Sequence, residues 1–468
     1  MDIIRDLSKI VGKSRVTIAD SVVREFSRDF AKYDMGKARA VVQPVTEEQV
    51  VQLVRWARKT KIPLVPVGSR SSFWGATKVG GRVAVDMRGM NRVLSIDETE
   101  GIVRAQAGIQ ISELDAILRR RGFYLPMCPD GFGDPVLASM IANDTIAGLG
   151  MFNAPGSALF VTMNAVLGTG EVFRFPGSSH VIGLPDYARD GFPDMSSVFF
   201  ASEGAFGIIT EMSMRFAGIP VTRTCVLSFP PGLDGFRRIL DVGMSLRGQP
   251  ICTYWRNHSW ISMQADTVEI EVAGRPEEVG VKVRRLQKAC RDGGLQEPQV
   301  LLEEPPRWEE RPRDSEHWMG VSMHVPFTHA ERIYSLWLDR FRGRMSAIAQ
   351  PDGFLRWYIG AGGMAALFAW NYTPGDAQMA ASIALADEIR ETVSEFAFPY
   401  RIGTVWRPNL EGRLDPLYCR IIKELKDMFD PDNILNPGVG IFDLAPAGAV
   451  AGRALRGRRK PTPLPRPR

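Results

Sequence analysis

The stretch Leu64-Val-Pro-Val-Gly-Ser-Arg-Ser-Ser-Phe-Trp-Gly-Ala76 decides how the chain is read. A short β-type run, Leu64–Val67, stops at Gly68. Small and hydroxylated residues follow, Ser69, Ser71 and Ser72, and then a second glycine, Gly75. A loop of this kind folds its backbone N–H groups into a concave nest for an anion. Glycine permits the positive φ angles and close approach that a nest needs. Arg70 and the serine hydroxyls are candidate donors to a phosphate. A plain strand-to-strand turn has the same composition, so the surrounding chain has to decide between the two.

On the N-terminal side, Thr46-Glu-Glu-Gln49 is a capping box. It opens an amphipathic helix that carries Val50, Val51, Leu53, Val54 and Trp56. Residues 1–37 read as a helical lead-in of mixed charge, without the unbroken apolar core of a signal peptide. Gly12-Lys13-Ser14 ends like a P-loop, but position 7 is Leu where that motif needs Gly.

On the C-terminal side, Arg82 to Asp86 and Ile102 to Ala107 read as strands, and residues 111–121 as a helix ending at Gly122. A turn-rich segment, Leu125-Pro-Met-Cys-Pro-Asp-Gly-Phe-Gly-Asp134, leads into small residues as far as Asn143. Residues 159–167, Gly168-Thr169-Gly170 and residues 171–175 form a β-hairpin pattern. Ser202-Glu-Gly-Ala-Phe-Gly207 enters a strand from Ile208 to Phe216. After Pro220 the texture changes to tryptophan-rich strands alternating with long helices. Residues 303–313 read as a surface loop and residues 414–429 as a helix stopped by Asp430-Pro431.

With 468 residues the chain is long enough for two or three domains. The net charge of +5 is concentrated in the Arg/Pro tail after Gly452, so the body is near neutral and offers no nucleic-acid footprint. Five scattered cysteines without a CxxC pair fit a reducing compartment. No run approaches the ~20 apolar residues of a membrane span. A cytoplasmic protein is expected.

Most other chemical motifs are weak or missing. Gly360-Ala-Gly-Gly-Met-Ala365 has dinucleotide-loop spacing, but its flanks read as two strands of a hairpin, with no helix start or ribose-binding acid after it. His324 and His329 lack the companions of a metal site. No G-x-S-x-G anchors serine hydrolysis. Tyr400-Arg401 is more informative: a guanidinium beside a phenol can stabilise an anionic oxygen.

Together these segments resemble the flavoprotein family of vanillyl-alcohol oxidase and p-cresol methylhydroxylase, over residues 38–442. Residues 68–75 are similar to its pyrophosphate loop, and residues 129–143 to its second flavin loop. The hairpin around Gly168-Thr-Gly170 also has a counterpart there. Ser202-Glu-Gly-Ala-Phe-Gly-Ile-Ile-Thr210 is close to its S-E-G-x-x-G-I-I-T. Phe429-Asp-Pro-Asp-Asn-Ile-Leu-Asn-Pro-Gly438 matches its D-P-x-x-I-L-x-P-G.

The resemblance implies an α+β fold: a two-part FAD-binding domain of the p-cresol methylhydroxylase type (38–218, with 396–442 returning to it) and an α+β substrate-cap domain (219–395). Residues 443–468 are expected to be a disordered basic tail. The cofactor implied is FAD, held by Gly68, Ser69, Arg70, Ser71, Ser72, Gly75, Pro129, Ser139, Asn143, Glu203, Gly204, Gly207, Ile208 and Asn436. No His lies in the first loop, so covalent attachment there is excluded; Cys128 is the one thiol near the second loop.

Tyr400-Arg401 matches the Tyr-Arg pair that holds phenolate in the para-phenol branch, and Asp130 falls near that branch's proton-transferring Asp, with Asp134 a competitor. The metal-binding H-x-G-x-G-N-x-H of the lactate- and glycolate-oxidising branch is absent. The activity implied is hydride transfer from a para-substituted phenol or aryl alcohol to flavin, with a 2-hydroxy acid oxidoreductase or a non-catalytic flavin-binding protein as alternatives. The partners are the small-molecule substrate and O2 or an electron-acceptor protein, with a homodimer open. No nucleic acid and no metal are expected.

Overall fold

A computed structural model describes residues 2–31, 33–126, 134–145, 159–175, 194–230, 232–245, 254–257, 266–303, 317–348, 353–359 and 364–445. Pro129, Asp130 and Cys128, residues 360–363, most of the 303–313 segment and the basic tail lie outside them.

The first sheet is built from β1 (Val16–Thr17), β2 (Ala40–Val42), β3 (Leu64–Val67) and β4 (Val83–Asp86), in the order β1-β2-β4-β3. β2 and β3 both run parallel to β4. Parallel neighbours need a crossover, which the helix Glu47–Thr60 supplies. Its N-terminus departs slightly from the expected capping box. Thr46 accepts from the Gln49 N–H as expected, but the Gln49 side chain accepts from the Val45 N–H instead of the Thr46 N–H.

The lead-in is not wholly helical. β1 pairs antiparallel with Val41 and Val42, because a free sheet edge recruits two residues that carry no local strand pattern.

A second sheet follows from β5 (Val93–Asp97), β6 (Ile102–Gln106), β8 (Phe160–Val166), β9 (Val172–Arg174) and β10 (Ile208–Arg215), in the order β5-β6-β10-β8-β9. A short β7 (Phe123–Tyr124) pairs separately with β11 (Ala217–Gly218). The β8–β9 pair is the expected hairpin. The face of this sheet packs against Phe175, Phe199, Phe206, Phe429 and Phe442, whose rings meet mostly edge to face.

The cap holds two further antiparallel sheets. β12 (Val221–Phe229), β13 (Tyr254–Asn257), β14 (Asp266–Gly274) and β15 (Gln299–Glu303) form one, in the order β13-β14-β12-β15. β16 (Trp318–Val325), β17 (Phe354–Ile359), β18 (Met364–Asn371) and β19 (Phe398–Pro399) form the other, in the order β17-β18-β16-β19. β17 and β18 run antiparallel on either side of residues 360–363, so a strand and not a helix follows those residues, as expected from the flanking sequence.

After the helix Pro416–Phe429 the chain returns to the first sheet. The Leu64 N–H donates to Ile434 O at 2.8 Å, and the Asn436 N–H donates to Leu64 O at 2.9 Å. β3 is thus flanked by β4 and by the returning segment, and both hold the end from which residues 68–72 emerge. Among the described residues, no helix is long and apolar enough to cross a membrane.

Candidate active site

Residues 68–72 form one wall of a partly open cavity. Ser69 is only 4% exposed, and its hydroxyl has no partner among the described residues. Arg70 takes a left-handed backbone, φ 58°, which turns the loop back on itself. Its side chain lines the cavity wall but does not offer its guanidinium to a phosphate as expected. It donates to the Glu25 carbonyl at 2.8 Å, pairs with the Glu25 carboxylate and lies 4.8 Å over the Phe26 ring. A charged partner 45 residues upstream holds it away from the loop. Ser71 and Ser72 line the cavity.

Gly75 and Asn436 are not among the lining residues; they hold the walls. The Gly75 N–H donates to Asp29 Oδ2 at 2.9 Å. Its φ is +71°, and a Cβ there would lie 2.0 Å from Thr404 Oγ1. Asn436 Nδ2 donates to Ala76 O at 2.8 Å and to Glu203 O at 2.7 Å, tying the first loop to the Ser202–Gly207 turn.

That turn makes the opposite wall, with Glu203, Gly204, Gly207 and Ile208, beside Ser139 and Asn143 from the helix Leu137–Ala142 and its end. Gly204 has φ +75°, and a Cβ would fall 2.5 Å from Pro66 Cγ; the two walls approach too closely for any side chain. Glu203 is buried. Its Oε1 accepts from the Gly403 N–H at 2.8 Å, while Oε2 has no partner among the described residues. Burial pushes this carboxyl up to about 7, with the Gly403 N–H and the Arg401 charge opposing.

Glu203 therefore links the cavity to the Tyr400-Arg401 segment. Arg401 is 3% exposed. Its Nη1 donates to Tyr400 O at 2.5 Å and its Nη2 donates to Asp144 O. The guanidinium sits 3.7 Å from the centre of the Tyr400 ring. Across β16–β19, His324 pairs with Phe398, and its ring meets Tyr400 edge to face at 5.1 Å. His324 is exposed, yet protein surrounds it closely enough that lost hydration, and then the Arg401 charge, push its pKa down to about 4.

Sequence reasoning weighed His324 only as a metal ligand, because its pairing with residue 398 is invisible to local patterns. Asp134, the competitor of Asp130, accepts from Ser112 at the start of the helix Ile111–Arg119.

The donor set fits FAD. The backbone N–H groups of residues 69–72 find no hydrogen-bond partner among the described residues, and with the Ser69 hydroxyl they suit a diphosphate. Walls free of side chains at Gly204 suit close approach. A two-sheet cradle of this kind beneath an antiparallel cap defines a flavin-dependent oxidoreductase. Residues 38–176 match the FAD binding domain family, and the chain is an FAD-dependent oxidoreductase with the fold of the p-cresol methylhydroxylase type.

The structure is similar to 4-ethylphenol oxidase from Gulosibacter chungangensis, with a TM-score of 0.77 and 18% identity, over 95% of this chain and 97% of that one. It is also similar to p-cresol methylhydroxylase, with a TM-score of 0.72 and 13% identity, over 94% and 96% of the two chains. In sequence the chain is 24% identical to D-2-hydroxyglutarate dehydrogenase of Stutzerimonas stutzeri, over 93% of this chain and 98% of the relative.

Proposed function

We propose that the protein oxidises a para-substituted phenol or an aryl alcohol. The observation that carries this reading is the setting of Arg401. Its two terminal nitrogens donate to backbone carbonyls, and its flat face lies against Tyr400. A guanidinium held in this way is a fixed positive charge beside an aromatic hydroxyl, and is poorly placed to grip a carboxylate with two parallel bonds. A charge of that kind favours the anionic form of a bound phenol, whose free pKa is near ~10. Glu203, with its pKa raised to about 7, neutralises Arg401 only in part at neutral pH.

When bound, FAD supplies the two-electron acceptor. Ser69, Ser71, Ser72, Ser139, Asn143, Glu203, Gly204, Gly207 and Ile208 are the residues of this chain that would hold it, with Gly75 and Asn436 supporting them. Asp130 and Pro129 complete the assignment as sequence-based members. Tyr400 and Arg401 stabilise negative charge on the substrate oxygen.

A second reading, oxidation of a 2-hydroxy acid, is supported by the full-length likeness to D-2-hydroxyglutarate dehydrogenase. Under it, the Arg401 Nε–H, without a partner among the described residues, would be a single donor to the carboxylate.

The test is the ultraviolet difference spectrum of a para-alkylphenol bound anaerobically to the holoenzyme at pH 7. Phenolate absorption in the wild type, lost in Arg401→Ala, is the expected result. A bound phenol that stays neutral in both proteins contradicts the reading.

A further inference from the structure

One wall of the cavity is built for an anion, and the other carries an acid. Glu203 lines the same cavity as residues 68–72, whose open N–H groups suit a diphosphate. Its backbone is left-handed, φ 52°, a conformation that costs a residue with a side chain and that glycine adopts freely. The side chain is sealed from water. Glu203 is 6% exposed, Oε1 accepts from the Gly403 N–H at 2.8 Å, and Oε2 meets no partner among the described residues. The turn that bears it presses on the strand leading into the nest, since a Cβ at Gly204 would lie 2.5 Å from Pro66 Cγ. Carboxyl and nest therefore share one confined space.

The charged groups on the elements around Glu203 do not neutralise it. Arg401 favours the ionised form, but its terminal nitrogens donate to the carbonyls of Tyr400 and Asp144. Arg70 is turned to Glu25. Lys426 reaches the turn at Ala205 O and is paired with Asp430. Asp29, which accepts from the Gly75 N–H, adds a second acid on the loop side. Burial outweighs the Arg401 charge and pushes the Glu203 carboxyl up to about 7.

We propose that Glu203 makes FAD binding proton-linked: its carboxylate takes up one proton as the cofactor enters the cavity, and the neutral acid is the form that holds the cofactor. An O–H bond forms on the carboxylate, the proton comes from the solvent, and no electron is transferred. The ionised form would set like charges against each other across a buried wall, where repulsion is far stronger than in water. The protonated form removes that repulsion and adds a donor. The inference rests on FAD binding in this cavity and is independent of the substrate. It also leaves Arg401 with its full charge once the cofactor is bound.

The test adds FAD to the full chain freed of its cofactor, by titration calorimetry in two buffers of different ionisation heat, which counts the protons taken up. The wild type should take up almost none at pH 6 and about one per FAD at pH 8, with a Kd about tenfold weaker at pH 8 than at pH 6. Glu203→Gln, neutral at both pH values, should take up none and keep the same Kd at each. Wild-type binding without proton uptake at pH 8 overturns the proposal, whether or not the variant folds. Uptake that persists in Glu203→Gln overturns the assignment to Glu203. A wild type that binds no FAD at either pH overturns the FAD reading and this inference with it.

Discussion

Glu203 carries a left-handed backbone, φ 52°, and a carboxyl sealed from water whose second oxygen faces no partner among the described residues. Its native pKa of about 7 stands above the unfolded value of 4.5. Between these values the native state binds more protons than the unfolded state, so stability falls as pH rises from about 4.5 to 7. The loss is about 3 kcal/mol over that window. Thermal unfolding of the FAD-free protein should show this slope, and Glu203→Gln should flatten it; an unchanged slope would remove Glu203 as its source. Ser69 is simpler. Its buried hydroxyl has nothing to bond to among the described residues, so Ser69→Ala leaves the empty protein as stable as before. It should weaken FAD binding about tenfold, read from quenching of flavin fluorescence.

Arg70 shows what residue chemistry alone misses. The loop was legible because its glycines and serines act locally. The direction of the guanidinium was not, because Glu25 reaches it only through the fold.

Among the elements, the returning C-terminal segment depends on one buried pair. Lys426 Nζ donates to Asp430 at 2.6 Å, to Ala205 O at 2.6 Å and to Leu435 O at 3.0 Å. Asp430 in turn accepts from the Ile434 and Leu435 N–H groups. Every strong donor of the ammonium is used, across the helix Pro416–Phe429, the Ser202–Gly207 turn and the strand-like return. Asp430→Ala should cost about 3–5 kcal/mol in denaturant unfolding, because it leaves a buried charge alone. Asp427→Ala, one turn earlier on the exposed Lys423–Asp427 pair, should cost almost nothing. Equal effects would contradict the account of the return. The sequence marks this element as a helix stopped by turn chemistry, and that much is correct. It gives no sign that Asp430 anchors Lys426 and two backbone amides. β1 is a similar case: two residues are too few for a periodic signal, and only the edge of β2 makes them a strand.

At the scale of the molecule, one hydrophobic core runs from the lead-in and β3 into both cap sheets. Polar ties follow the same path. Asp29 holds Gly75, and four residues later the Tyr33 hydroxyl accepts from the buried Arg390 of the cap helix Asp376–Val393 at 3.3 Å. The cradle and the cap are thereby fixed to each other through residues 26–35, a segment the sequence presents as a mere prelude. The order of the FAD-binding loops is legible from glycine, proline and capping chemistry. The contact of His324 with Tyr400 is not, since the two are 76 positions apart and meet only through a two-residue strand pairing.

The central claim, an FAD-dependent oxidoreductase whose Arg401 and Tyr400 take the oxygen of a phenol or aryl alcohol, is tested most directly by the anaerobic visible spectrum of the holoenzyme. The spectrum is titrated in turn with para-alkylphenols, aryl alcohols and 2-hydroxy acids. Bleaching by the phenols or aryl alcohols, about 100-fold slower in Arg401→Ala, is the predicted result. Bleaching by 2-hydroxy acids alone would contradict it.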